Sequence, residues 1–399
     1  MRRLLGAALL LPLAALAGAA DVDKHNTLTA KEAADGWLLL FDGESTYGWR
    51  SPNGSKWTIA DGMLAPQAGK PGLLVTTTAF TDFELSLEYR TKPDSRVVLL
   101  FGCDRDGKRP ESAKEVLLPH GAGGWQRTRI TVMGHTLVKQ VLSGFSDSAS
   151  LAPPPGPRPA AGHLALSGNG VVLRDIKLKP LNLKSLFNGK DLTGWKEYPG
   201  KKSKFTVTKE GWLNIKNGPG DLQTEGQWAD FVLQLDCISN GQHLNSGVFF
   251  RCLPGQYQNG YEAQIRNQFT KEPREYTIEE YDPETHKLLG KKKVQSTAVD
   301  YGTGAIYGRM PARKEVAKDG EWFTLTVVAN GRHLATWVNG QQVVDWADHR
   351  PLKDNARNGC RLEKGPISLQ GHDATTDLCF RNIRIADLPP PEKTRPYLT

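Results

Sequence analysis

One row of short segments is written twice along this 399-residue chain, and the repetition limits the folds open to it. Phe41-Asp42-Gly43 with Trp49 is answered by Phe187-Asn188-Gly189 with Trp195. Trp57-Thr58-Ile59 and Gly62-Met63-Leu64 are matched by Phe205-Thr206-Val207 and Gly211-Trp212-Leu213. The run from Asp82 to Leu87 matches Asp230 to Leu235, Trp125 matches Trp322, and His163 to Leu166 matches Pro366 to Leu369. Each copy closes on one strand-like run, Leu173 to Leu178 or Phe380 to Ile385. A period this long lies outside the solenoid range. Both copies consist of short, alternating, aromatic-rich runs bounded by Gly, Pro, Asn and Asp, the pattern of a β-sandwich or jelly roll. The expected layout is one domain over 21–179, a second over 180–388 and a tail over 389–399. Pro153-Pro154-Pro155-Gly156-Pro157 reads as a surface loop, because the last two strands of the first copy follow it. A capping box at Thr29 to Glu32 opens a short helix expected to end near Gly36.

Two sandwiches of this size can each close a core. The net charge of +8 includes Arg2 and Arg3; residues 21–179 carry 19 basic and 17 acidic groups, and 180–399 carry 30 and 26. The excess is thin and has no basic pole, so a nucleic-acid partner is not expected. Met1 to Ala20 has the parts of a secretory signal: Arg2-Arg3, an apolar run from Leu4 to Leu16, and small residues at Ala17-Gly18-Ala19. Export to the periplasm or outside the cell is expected, without an integral membrane segment. Cys103, Cys237, Cys252, Cys360 and Cys379 show no zinc spacing. In an oxidising compartment Cys237–Cys252 and Cys360–Cys379 are the expected pairs, with Cys103 free.

The two copies part company at one place. From Phe83 to Trp125 is 42 positions and from Phe231 to Trp322 is 91, so the second copy holds 49 more residues there. That interval contains Glu262, Gln264, Asp300, Tyr307 and Arg309. Tyr261-Glu262-Ala263-Gln264-Ile265 alternates, so a carboxylate and an amide share one strand face, with Asn245, Ser246 and Arg251 close by in sequence. Where the second copy has Gln370-Gly371-His372, the first has Ser167-Gly168-Asn169. Glu280-Tyr281-Asp282-Pro283-Glu284 carries the carboxylate spacing of a two-carboxylate glycosidase. Its Asp-Pro step, however, favours a turn joining Tyr276–Tyr281 to Lys287–Gly290.

Leu186-Phe187-Asn188-Gly189-Lys190-Asp191-Leu192-Thr193-Gly194-Trp195 resembles the opening of the 3-keto-disaccharide hydrolase domain family. Asn245 to Arg251, Gly260 to Ile265, Gly304 to Tyr307 and Phe380 to Ile383 resemble its later blocks in order. The resemblance covers the whole second copy; the first copy matches only at scaffold positions. Two departures stand out. The family's Leu-Gln-Asp-His-Gly is here Leu369-Gln370-Gly371-His372-Asp373, and its Glu-Trp-Asn is Glu321-Trp322-Phe323. The resemblance implies an all-β chain of two concanavalin A-like jelly-roll sandwiches in tandem. For some members it also implies hydrolysis of 3-keto-glycosides.

A ketone at C3 of a sugar acidifies the proton on C2, so that a base can remove it, the C1–O bond can leave, and water can add back. Such a site needs a base, an acid for the leaving oxygen and donors for the enolate. Glu262 is the expected base. His372 is the expected acid or its helper, since histidine ordinarily titrates near neutrality. Asn245, Arg251, Gln264, Tyr307, Arg309 and Gln370 are the expected substrate-binding residues. No cofactor is expected, a divalent metal is left open, and the partner is a carbohydrate. The alternative is a lectin-like protein that binds sugar without turning it over.

Overall fold

The computed structural model describes residues 24–67, 71–93, 95–110, 113–119, 123–134, 136–142 and 160–389. The expected secretory signal, the expected surface loop at Pro153–Pro157 and nearly all of the expected tail lie outside these residues. Apart from one five-residue helix, Ala30–Ala34, the regular elements of the described residues are strands. That helix starts as the capping box requires, with the Thr29 side chain accepting from the Glu32 backbone and Glu32 reaching back to Thr29. Thus the chain is all-β: two concanavalin A-like jelly-roll sandwiches in tandem.

Each sandwich has a five-stranded inner sheet. In the N-terminal half its order is Trp49–Arg50, Gly72–Thr76, His163–Gly168, Val97–Cys103, Lys114–Leu118. In the C-terminal half it is Trp195–Glu197, Gly220–Thr224, Ser368–Gly371, Ser246–Phe250, Tyr261–Ile265. The two orders correspond strand for strand. The outer strands of both halves join into one 15-stranded sheet. Leu38–Leu39 makes the seam, antiparallel to Val171–Pro180 on one side and parallel to Gln341–Ala347 on the other.

Local details repeat as well. The Trp49 and Trp195 indoles each donate to a backbone carbonyl nine residues back, Leu40 and Leu186. Asp42 and Asn188 close the same turn on the backbone N–H groups that follow them. Asp175 and Asn382 occupy left-handed backbone at φ 50° and 52°. The arginines before them, Arg174 and Arg381, each lie 3.9 Å from the ring of Trp125 or Trp322.

Three expectations need correction. All five cysteines are free and buried, so neither expected disulfide forms. Cys237 faces the core beside Phe380, whereas Cys252 lies past the Arg251 turn with its thiol on the Asn259 carbonyl. The Glu262 strand is not part of the added chain either. It has a counterpart in Lys114–Leu118, and the extra residues are 266–322 against 119–125. Finally, these residues build a hairpin longer than expected, Phe269–Tyr281 with Leu288–Ala298. The turn reading of Asp282 holds: its Oδ1 accepts from the Glu284 and Thr285 backbones and the Thr285 hydroxyl.

Candidate active site on the inner sheet of the C-terminal sandwich

Register sorts the side chains of this sheet onto two faces. Leu222, Leu369, Val248 and Ala263 form one cross-strand row and point into the core. Rows to either side point the opposite way: Asp221, Gln370, Gly247 and Gln264 in one, Gln223, Ser368, Phe249 and Glu262 in the other. The outward face therefore gathers two carboxylates, three amides and a hydroxyl on four adjacent strands, and all six side chains are buried.

Glu262 lies along the sheet because its neighbour has no side chain. A Cβ at Gly247 would sit 2.6 Å from Glu262 Oε1 and 2.8 Å from its Cγ. From the other side Arg357 donates to Glu262 Oε2 at 2.9 Å, with its guanidinium 5.2 Å from the Phe249 ring. Burial pushes the Glu262 carboxyl above its ordinary range; the charges of Arg357 and His372 pull it back, and that of Asp221 adds to the rise. Asp221 is raised by burial to about 6, with the Gln258 backbone N–H, Lys201 and Arg357 acting against the rise.

Asp221 Oδ1, Gln264 Oε1, Gln370 Oε1 and Ser368 Oγ are buried without hydrogen-bond partners. Buried acceptors are ordinarily paired, so a cluster of four on one face suits a ligand that brings its own donors. Tyr257 lies close enough to feel the Asp221 charge, with Lys201 4.0 Å from its ring and Tyr198 against it, an aromatic and cationic cluster.

Of the residues expected from sequence, Glu262, Gln264 and Gln370 share this face. Asn245 and His372 meet at its edge, with Asn245 Nδ2 3.3 Å from His372 Nε2. His372 Nδ1 is held by the Asp373 carboxylate at 2.8 Å, so the aspartate displaced in sequence still reaches the ring. Tyr307 is exposed overall, and its hydroxyl pKa is raised above the ordinary range first by burial and then by the charge of Glu262. Arg309 stands one step back, donating to the Arg357 backbone carbonyl at 2.7 Å.

Arg251 does not join them. At φ 51° it leaves the strand and turns its side chain into the protein, fully buried. Its guanidinium donates to the Ala229, Gly331 and Arg361 carbonyls and to Asp230. It is a structural arginine, and its expected substrate contact is withdrawn.

Sequence reasoning missed Asp221, Arg357, Lys201 and Tyr257. Alternation in Gly220–Thr224 would have found Asp221; Arg357 sits in a loop with no local pattern. As for a metal, one group of three ligand-type side chains among the described residues, His25, Glu88 and Asp175, lies within 4.8 Å. It belongs to the N-terminal sandwich, and Arg127 and Arg174 already neutralise Glu88.

Among the described residues, the N-terminal sandwich carries no equivalent of this face. Register puts Leu73, Val75, Ser167, Ala165, Val98 and Leu117 where the other half has Asp221, Gln223, Gln370, Ser368, Gly247 and Gln264. Glu115 occupies the Glu262 position, but Val98 replaces the glycine, and Glu115 is paired with Arg109 at the surface.

The sequence matches the 3-keto-alpha-glucoside-1,2-lyase-like domain over residues 36–116 and 182–386. A 3-keto-disaccharide hydrolase of Bacteroides thetaiotaomicron is 29% identical over 98 residues, 22% of this chain and 34% of that relative. The match thus spans about a third of the relative's length. Among solved structures, a candidate glycosyl hydrolase from Parabacteroides distasonis is 23% identical, with 52% of this chain and 94% of that one covered and a TM-score of 0.38. A protein of unknown function with a galectin-like fold from Bacillus subtilis is 11% identical, covering 53% and 96%, with a TM-score of 0.34. Matched over two segments that together span most of the chain, this protein belongs to the 3-keto-alpha-glucoside-1,2-lyase-like family.

Proposed function

We propose that the C-terminal sandwich, 180–388, is a hydrolase of 3-keto-glycosides, acting by removal of the C2 proton, elimination at C1 and hydration. The observation that carries the reading is Glu262: a buried carboxylate laid along the sheet over Gly247, paired with one cation. A carboxylate raised by burial, with Arg357 acting against the rise, suits proton abstraction. In this reading Arg357, which donates to Glu262, also stabilises the enolate oxygen formed as the proton leaves. Asn245, Gln264, Gln370 and Tyr307 supply hydroxyl contacts, and His372, oriented by Asp373, offers Nε2 at the edge.

The N-terminal sandwich, 21–179, is a scaffold or accessory module in this reading, descended from an internal duplication whose polar face became apolar. The chain is exported through its first twenty residues. No helix among the described residues is long and apolar enough to cross a membrane.

The test is Glu262→Gln assayed on a 3-keto-disaccharide and its unoxidised parent. Turnover of the keto sugar should fall by about 10²–10⁴-fold while its Kd changes only a few-fold. A wild-type protein that binds sugar but neither cleaves it nor exchanges the C2 hydrogen in D2O is a lectin, and the hydrolase reading is then wrong.

A further inference from the structure

Asp221 is left without a task by the reading above. It is 1% exposed. Its Oδ2 accepts the Gln258 N–H at 2.8 Å. Its Oδ1 has no partner, and neither has Oε1 of Gln370, the residue directly opposite on the neighbouring strand. Two unpaired acceptors on facing residues repel unless a donor serves them, and a proton on Oδ1 is such a donor. Neighbouring strands lie about 4.8 Å apart. Asp221 is therefore about 10 Å, measured between strands, from Gly247, over which the Glu262 carboxylate rests. That spacing is of the order of the roughly 6.5–9.5 Å by which two carboxyl groups flank a glycosidic bond in inverting glycosidases.

We propose that Asp221 is the acid partner of Glu262, delivering a proton from Oδ1 to the departing glycosidic oxygen. The inference rests on the 3-keto-glycoside reading. Glu262 takes the C2 proton, and the electron pair left behind forms the C1–C2 double bond through the enolate. The C1–O bond breaks with its pair on the leaving oxygen, which takes the proton from Asp221. Water then adds to C1 and gives a proton to Asp221, while Glu262 returns its proton to C2. Both carboxyl groups end as they began, with no oxidant or reductant consumed. The charged and titratable groups facing Asp221 are Lys201, Arg357, Glu262, Tyr257 and Cys252, and its elevated pKa keeps the proton available in mildly acidic solution.

The experiment compares wild type with Asp221→Asn on two substrates. One is a 3-keto-disaccharide, whose leaving alkoxide needs a proton; the other is 4-nitrophenyl 3-keto-glucoside, whose leaving phenolate does not. The variant should lose about 10²–10⁴-fold in kcat/KM on the first and no more than a few-fold on the second. C2 exchange in D2O should continue, and the alkaline limb of the wild-type pH profile, near 6, should vanish. Equal losses on both substrates by a wild-type-active protein overturn the role of Asp221 alone. A wild type inert in cleavage and exchange overturns the reaction reading and this inference with it.

Discussion

Gly247 decides whether Glu262 can lie along the sheet, so the smallest substitution at the site is the sharpest. Gly247→Ala brings a methyl group within 2.6 Å of Oε1 and must lift the carboxylate away from Arg357. A shift of about 1 Å in a catalytic group can cost roughly 10²-fold, and a kcat loss of that order with near-normal folding is expected. Wild-type kcat in this variant would detach Glu262 from the chemistry. Asp221 makes a different prediction, about stability. Its folded-state carboxyl rises from 3.8 to about 6, so the neutral form is the one folding favours. That contribution is complete below 3.8 and is lost as pH rises through about 6; the gap corresponds to roughly 3 kcal/mol. Asp221→Asn, neutral at every pH, should therefore gain on wild type between pH 4 and pH 8, in denaturant titrations, by up to that amount. No gain would mean that the ionised form is already well accommodated. Glu262, Gln264 and Gln370 were legible as residues because alternation alone assigns a strand's faces. Arg251 was misread because neighbours in sequence part at a left-handed backbone step, which sequence does not mark at an arginine.

At the scale of elements, the strands could be read from the repeat, since each run recurs with its turns. The loop that carries Arg357 could not, because its shape is set by groups distant in sequence. Asp348, fully buried, forms a two-pronged pair with Arg350 and accepts the Tyr261 hydroxyl at 2.7 Å. Arg350 then donates to the Ala356 and Gly359 carbonyls, and Arg361 to that of Asp354, holding the loop on both sides of Arg357. Tyr261 and Glu262 are consecutive, so one strand positions both the carboxylate and, through Asp348, its cation. Arg350→Met leaves Asp348 buried without its partner, a loss of about 3–5 kcal/mol. Activity should fall further than the folded fraction accounts for, because Arg357 loses its footing. Thermal denaturation alongside kcat for the folded protein separates the two effects; full activity per folded molecule would show that the loop holds its shape unaided.

Across the whole molecule, the two halves share more than a pattern: their outer strands form one sheet and their cores touch. Val232, Val328, Ala335 and Trp337 belong to the C-terminal outer sheet but pack into the N-terminal core, where Trp337 meets Phe80 at 6.5 Å. Gln234 donates to the Gly36 carbonyl at 2.9 Å and Arg313 to Asp42 at 2.6 Å across the same junction. An N-terminal sandwich that lacks the polar face still covers apolar surface that its partner cannot leave in water. The proposed scaffold or accessory role rests on its apolar inner sheet and on this contact. The expected consequence is cooperative: wild type should unfold in one transition, without a stage in which one half is open. Trp337→Ala, which empties a large buried volume at the junction, should cost about 3–5 kcal/mol and shift the fluorescence and circular-dichroism transitions together. If instead the variant splits them, with the C-terminal half and its activity surviving at the wild-type temperature, the halves are independent domains and the shared sheet contributes little.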